Sequence, residues 1–226
     1  MISVIIPAYN ERDSIEEIIS RVKEIGISKE IIIVDDGSTD GTRQVLEGMH
    51  DPEIKVLFHE KNYGKGHAIR TAIKAVTKDI VIIQDADLEY SPRDYPALIK
   101  PIVSNKAEVV YGSRWLKKGL NKVPFNLFRF GRWLLTSLTN LLYGINITDE
   151  PCCYKVFKKE VIKSIPLECE RFEFCPEITA KLARRGYKIY EVPVSYDPRG
   201  IEDGKKITYR DGLEAVATLL KYRFWK

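Results

Sequence analysis

At 226 residues the chain is long enough for one large domain with a substantial core and short for two full ones. Hydrophobic residues at 44% and charged residues at 30% exclude a disordered or collagen-like chain. The formal net charge of +4, from 36 Lys and Arg against 32 Asp and Glu, predicts no nucleic-acid partner.

The first half alternates short β-rich runs with helical patterns, which predicts βαβ units and a mostly parallel sheet. Ser3–Pro7 reads as a buried strand, followed by a helix from about Ser14 to Ile25 with Ile15, Ile18, Ile19 and Val22 at helical spacing. Glu30–Val34 is the second strand, Thr39–Thr42 opens the next helix, and Ile54–Phe58 is the third strand. After the turn Asn62–Gly66, Ala68–Val76 reads as a helix and Asp79–Ile83 as a fully buried fourth strand that ends at an acidic cluster. Val109–Arg114 reads as one more strand with its exit loop. Phe125–Ile147 then predicts a helix with Leu134, Leu135, Leu138, Leu141 and Leu142 on broad apolar faces, and Leu213–Trp225 a second amphipathic segment.

Cys152, Cys153, Cys169 and Cys175 lack the C-x-x-C spacing of a zinc site, and the adjacent pair makes a poor disulfide framework. Reduced thiols in a cytoplasmic protein are expected. Ile2–Ile6 is preceded by no basic region and followed by no small-residue cleavage site, which predicts no signal peptide. No segment supplies the roughly 18 uncharged apolar residues of a membrane span, so the chain is not expected to cross a membrane, which leaves contact with a membrane surface open.

In an open α/β sheet, ligands bind beyond the carboxyl ends of the strands. Pro7–Glu11, Asp35–Ser38 and Asp85–Asp87 all fall there. If the fourth strand continues, alternation puts Asp85 and Asp87 on one side of the backbone. Two carboxylates that close repel unless a cation lies between them, which suits Mg²⁺ or Mn²⁺ gripping phosphate oxygens, with Glu89 as a third oxygen ligand. A lone D-x-D is more often an exposed turn, but three polar strand ends point to one site. In the second motif Asp35, Gly37 and Ser38 suit a helix cap and turn, leaving Asp36 as an acceptor for a base or ribose.

With P-A-Y-N-E at 7–11, D-D-G-S at 35–38, G-K-G at 64–66 and D-A-D-L-E at 85–89, the chain resembles the inverting family-2 glycosyltransferases of the GT-A fold. G-S-R at 112–114, T-D at 148–149 and E-V-P-V at 191–194 make it similar to the polyprenol-phosphate (dolichol-phosphate) mannose synthases and their glucosyl relatives, from Ser3 to about Lys206. The resemblance implies one α/β GT-A (Rossmann-like) domain over residues 1–226, with a mixed, mostly parallel sheet flanked by helices. Its 1–115 half would bind the nucleotide sugar, and its 116–226 half, with amphipathic helices, the acceptor.

Carried over by position, base and ribose contacts fall on Pro7, Tyr9, Glu11, Val34 and Asp36, and metal and diphosphate contacts on Asp85, Ala86, Asp87 and Glu89. Glu89 stands where those synthases usually carry Gln. Arg114, Arg132, Arg199 and Lys205 match positions that neutralise the donor diphosphate or hold the acceptor phosphate. Arg199 to Lys205 keeps the family's loop spacing without its Gly and Ser, and Pro151–Lys155 replaces a Gly-Phe-Arg segment, which weakens an acceptor role for Lys155.

The implied activity is transfer of a hexose to a polyprenyl phosphate, with GDP-mannose ahead of UDP-glucose as donor. Aromatics and cations in the two amphipathic segments suit the cytoplasmic face of a membrane, with a separate membrane-anchoring partner as an option. A hydroxyl acceptor would need a catalytic base, for which Glu177 or Asp149 is available, and a non-catalytic nucleotide-sugar module is the remaining alternative. A dinucleotide-binding Rossmann protein is disfavoured, because no G-x-G-x-x-G follows the first strand.

Overall fold

The computed structural model describes residues 1–116, 127–199 and 208–225. Strands form where β-branched residues are densest: β1 (Ile2–Ala8), β2 (Lys29–Asp35), β3 (Ile54–Phe58), β4 (Ile80–Ile83) and β5 (Val109–Ser113). β6 (Lys155–Lys158) and β7 (Ile189–Pro193) complete a seven-stranded sheet in the order β3-β2-β1-β4-β6-β5-β7. β1 runs parallel to β2 and β4, and β2 to β3, whereas β6 is inserted antiparallel between β4 and β5. β5 and β7 are again parallel.

Eight α-helices connect these strands among the described residues: α1 (Ile15–Glu24), α2 (Thr42–Glu47), α3 (Lys65–Ala75), α4 (Tyr95–Val103), α5 (Leu127–Tyr143), α6 (Lys159–Ser164), α7 (Phe174–Arg184) and α8 (Tyr209–Phe224). The central strands are apolar throughout because both of their faces are covered: Ile5, Ile32, Ile33 and Ile82 are fully buried. α1 buries the predicted stripe Ile15, Ile18, Ile19 and Val22 in the same core. α3 packs on β1 and β2, α4 on β5, and α7 and α5 both pack on α8.

Two expectations are revised, and α4 and β6 were not anticipated. β4 stops at Ile83 and the chain turns, with Leu88 at φ 62°, so a turn and not strand alternation sets the relation of Asp85 to Asp87. α3 starts at Lys65, which places the G-K-G motif in the entry and first turn of the helix instead of in a free loop. α4 carries Pro96 in its first turn, where no amide partner is required, and Pro101 further on; these prolines hide it from periodicity. β6 is four residues long and has no alternation to reveal it.

Candidate active site

Because β2 and β3 lie on one side of β1 and β4 on the other, the strand order reverses between β1 and β4. That is the topological switch point at which open α/β sheets form their ligand crevice. The ends of β1, β2 and β4 deliver Tyr9–Glu11, Asp36 and Asp85–Glu89 to this one edge.

The loops after β1 and β2 brace each other. Asn10, at φ 50°, donates its amide to Ser38 Oγ at 2.9 Å and accepts the Thr39 amide on Oδ1 at 2.8 Å. The Glu11 amide donates to Thr42 Oγ1 at 2.9 Å and the Arg12 amide to Asp40 Oδ2 at 3.0 Å. Gly37, at φ 75°, lies so close to the next loop that a Cβ there would meet Lys61 C at 2.4 Å. Pro7 and Val34 are cross-strand partners; Val34 is fully buried and has only its backbone to offer a ligand. Tyr9, just past β1, is half-buried.

Asp36 has a different job from the one expected. Its carboxylate accepts the amides of Tyr63 at 3.0 Å and Gly64 at 2.7 Å and pairs with His59 Nδ1 at 2.7 Å. It is 2% exposed, and these three protein donors occupy most of the acceptor positions of its carboxylate, leaving little of it to a base or ribose. Asp36 fastens the entry of α3.

The acidic turn is anchored by Gln84, which sequence reasoning passed over. Its buried side chain donates to the Asp85 carbonyl at 2.9 Å and accepts the hydroxyls of Tyr95 and Tyr154 at 2.9 and 2.8 Å. Ala86 is buried between the two aspartates. The Asp87 carboxyl is pushed up to about 7, chiefly by burial and then by the charges of Asp85 and Glu89, while Lys65 opposes the rise. Lys65 Nζ lies 2.5 Å from Asp85 Oδ1. Burial disfavours the ammonium, but Asp85 outweighs this and holds Lys65 protonated. Lys65 was not singled out from sequence; the G-K-G motif was the available signal.

Two crowded hard-oxygen carboxylates, one already neutralised by an ammonium, fit a divalent cation. Among the described residues no cluster of three or more His, Cys, Asp or Glu is assembled for a metal. Glu89 is accordingly revised as a third ligand: its Oε1 accepts the Arg199 amide at 2.9 Å and its carbonyl accepts the Asp197 amide at 2.9 Å. Two carboxylates with the remaining positions left to water and phosphate is the usual protein contribution to a Mg²⁺ site.

Arg199 spans the crevice, since Nη1 reaches Glu11 Oε2 at 2.9 Å while its amide is on Glu89. Arg114 lies beneath Tyr90 and Tyr196, with its guanidinium 6.0 and 4.9 Å from their ring centres. It is 6% exposed, and its Nε and Nη2 each lie 2.7 Å from Asp149 in a two-point pair that occupies one edge of the guanidinium and ties it to the protein. Asp149 is positioned in turn by Glu191, which accepts the amides of Thr148 and Asp149, so the G-S-R, T-D and E-V-P-V motifs form one connected chain of bonds. Asp149 and Glu177 are both fully buried and paired, Glu177 with Lys181 and Tyr222, so neither can serve as a catalytic base. Lys155 is buried as well, donating to the carbonyls of Glu150 and Cys152. Lys205 lies outside the described residues.

Tyr196 connects this network to α5. Arg114 lies 4.9 Å and Arg132 5.8 Å from its ring centre, and Arg132 Nε is buried without a hydrogen-bond partner among the described residues. Along α5 a predominantly apolar groove of about 620 Å³ is lined by Trp115, Arg129, Phe130, Trp133, Thr136 and Ile147, among others. Tyr143 Oη donates to the Leu219 carbonyl at 2.6 Å and joins α5 to α8. Trp133 and Leu141 on α5, and Phe224 and Trp225 at the end of α8, are each more than half exposed. Among the described residues no helix is long and apolar enough to cross a membrane.

A glycosyltransferase site is the class that this edge defines, and the "Glycosyl transferase family 2" model matches residues 3–165. The chain belongs to glycosyl transferase family 2, and its fold is GT-A. It is 30% identical over 234 residues to a dolichol-phosphate mannosyltransferase of Pyrococcus furiosus, covering 98% of this chain and 64% of that protein. It is also 30% identical over 214 residues to the UDP-N-acetylglucosamine–dolichyl-phosphate N-acetylglucosaminyltransferase of Methanococcus voltae, covering 86% of this chain and 84% of that one. Glucosyl-3-phosphoglycerate synthase from Mycobacterium tuberculosis, crystallised with Mn²⁺, UDP and phosphoglyceric acid, shares the fold with a TM-score of 0.73 and 21% identity over 99% of this chain and 78% of that one.

Proposed function

We propose that the protein transfers a hexose, with inversion, from a nucleotide diphospho-sugar to a polyprenyl phosphate at the cytoplasmic face of a membrane. GDP-mannose is the favoured donor, ahead of UDP-glucose. The observation that carries this reading is the aromatic, basic and exposed surface of α5 around Arg132, which Tyr196 connects to Tyr90 at the end of the acidic turn. The relatives' names support the acceptor class, since both act on dolichyl phosphate. In this reading residues 1–115 hold the donor and residues 116–226 the acceptor.

Asp85 and Asp87 would hold a Mg²⁺ or Mn²⁺ ion, which when bound would offset negative charge on the departing nucleoside diphosphate. Pro7, Tyr9 and Val34 border the nucleoside, with Glu11 held in place by Arg199. Arg132 and Arg199, with Lys205, meet the facing phosphates. The acceptor phosphate is already anionic, so its oxygen attacks the anomeric carbon as the bond to the diphosphate breaks, and no proton has to be removed by the protein. The protein's contribution is positioning and charge stabilisation. A hydroxyl acceptor is disfavoured because the carboxylates considered as its base, Asp149 and Glu177, are buried and paired.

The test is transfer of radiolabelled sugar from GDP-mannose and UDP-glucose into organic-extractable lipid, with and without polyprenyl phosphate and Mg²⁺ or Mn²⁺. Metal-dependent label in the lipid phase is expected. Label that appears only on a soluble saccharide would overturn the acceptor assignment.

A further inference from the structure

The first turn of α3 is clamped from two sides. On one side Asp36 takes the amides of Tyr63 and Gly64. On the other, the amides of Gly66 and His67 donate to the carbonyls of Arg171 and Glu170 at 3.2 and 2.9 Å. Only glycine permits this approach: a Cβ at Gly64 would meet Glu170 O at 2.4 Å, one at Gly66 would meet Cys169 O at 2.6 Å, and Gly64 has φ +102°.

Of the amides that a helix start would otherwise turn toward an anion, those of Gly64, Gly66 and His67 are therefore spent on the protein. What the clamp presents to the crevice is the Lys65 side chain. Its ammonium rests on Asp85, and both side chains are 18% exposed. A single positive charge there neutralises one of two crowded carboxylates and leaves Asp87 uncompensated. A divalent ion would serve both, but it has to displace Lys65 from Asp85.

We propose that Lys65 is the resident counter-ion of the acidic turn: it holds Asp85 before the donor arrives, competes there with the divalent ion, and moves to the donor diphosphate when nucleotide and ion enter together. The proposal rests on the donor-site reading above. The four-carbon stem of lysine permits the move, and a diphosphate supplies the charge that receives it. Ion and nucleotide then bind with positive coupling, because each relieves a cost of the other's entry. Metal alone binds weakly, and the site is not filled by ion without substrate.

The experiment is equilibrium binding of Mn²⁺, read by electron paramagnetic resonance of the free ion, to the wild type, Lys65→Met, Lys65→Gln and Lys65→Arg, without nucleotide and with saturating GDP or UDP. Circular dichroism confirms that each variant is folded. Both neutral variants should bind Mn²⁺ alone about 5- to 10-fold more tightly than the wild type and lose most of the enhancement by nucleotide; Lys65→Arg, which keeps the charge, should stay close to the wild type. Mn²⁺ affinity without nucleotide that is unchanged or weaker in the neutral variants would overturn the role of Lys65 while leaving the donor site intact. No Mn²⁺ binding by the wild type even with either nucleotide would overturn both, and the lipid-transfer assay on the same preparation shows whether the glycosyl-transfer reading survives.

Discussion

The two sides of the crevice handle their polar groups in opposite ways. On the β1–β2–α3 side neighbouring loops are cross-braced by backbone-to-side-chain bonds, Asn10 to Ser38 and Thr39, Arg12 to Asp40, Asp36 to Gly64. On the α5–α8 side the charged groups Arg114, Asp149, Glu150 and Lys155 are buried beneath the helices, and the outer surface is aromatic and exposed. A small, charged ligand is best held by a frame whose geometry is preset before it arrives. A long apolar ligand needs surface and an open side instead. The contrast matches the two substrates proposed, one compact and anionic, the other a lipid.

The comparison can be broken most forcefully at the buried pair. Arg114→Ala leaves Asp149 charged and unpartnered in the interior, and a loss of about 3–5 kcal/mol is expected in denaturant unfolding. Arg114→Lys should recover only part of it, since the two-point fork is lost. Asp87→Asn acts on the braced side: kcat for lipid transfer should fall about 10²- to 10³-fold, the scale for one lost electrostatic partner of a transition state, with the thermal midpoint retained. Wild-type turnover in that variant would remove the acidic turn from the reaction.

Trp133→Ser combined with Phe224→Ser sharpens the contrast on the open side. Co-sedimentation with anionic vesicles should drop about tenfold or more, because each aromatic contributes ~1.5–3 kcal/mol when buried. The unfolding midpoint should hardly move, as both side chains are exposed in the free protein. The smallest effect is expected at Glu30, where burial raises the carboxyl pKa but hydrogen bonds from Ser3, Thr77 and Lys78 outweigh it and hold it below the ordinary value. A folded pKa below the unfolded one gives stability that is present at neutral pH and lost as pH falls through the folded value. Glu30→Gln should therefore flatten the acid limb of stability in urea unfolding by under about 1 kcal/mol, a small figure because the group is partly exposed.

Much of the braced side was legible in the sequence. Its strands are continuous apolar runs, and the polar motifs at their ends follow directly from where such runs stop, as for Tyr9–Glu11 after β1 and Asp35–Ser38 after β2. The open side was harder to read. β6 is short and inserted antiparallel far from its sequence neighbours, α4 carries prolines that mimic a loop, and the partners of Arg114 and Glu191 come from residues 35 and 42 or more positions away.

By itself the sequence determined the α/β class, the buried strands, the edge on which ligands collect and the membership signalled by its motifs, because apolar periodicity and strand-end chemistry are local properties of the chain. Only the tertiary structure decided which charged residues face the crevice. Asp36, Arg114, Asp149 and Glu177 read as ligands or bases along the chain, yet each finds a protein partner when distant segments pack. Lys65, inconspicuous in a glycine-rich turn, ends on the acidic motif. The physical reason is that a charge leaving water must be compensated by whatever group folding brings beside it, and that neighbour is set by topology, not by position in the chain.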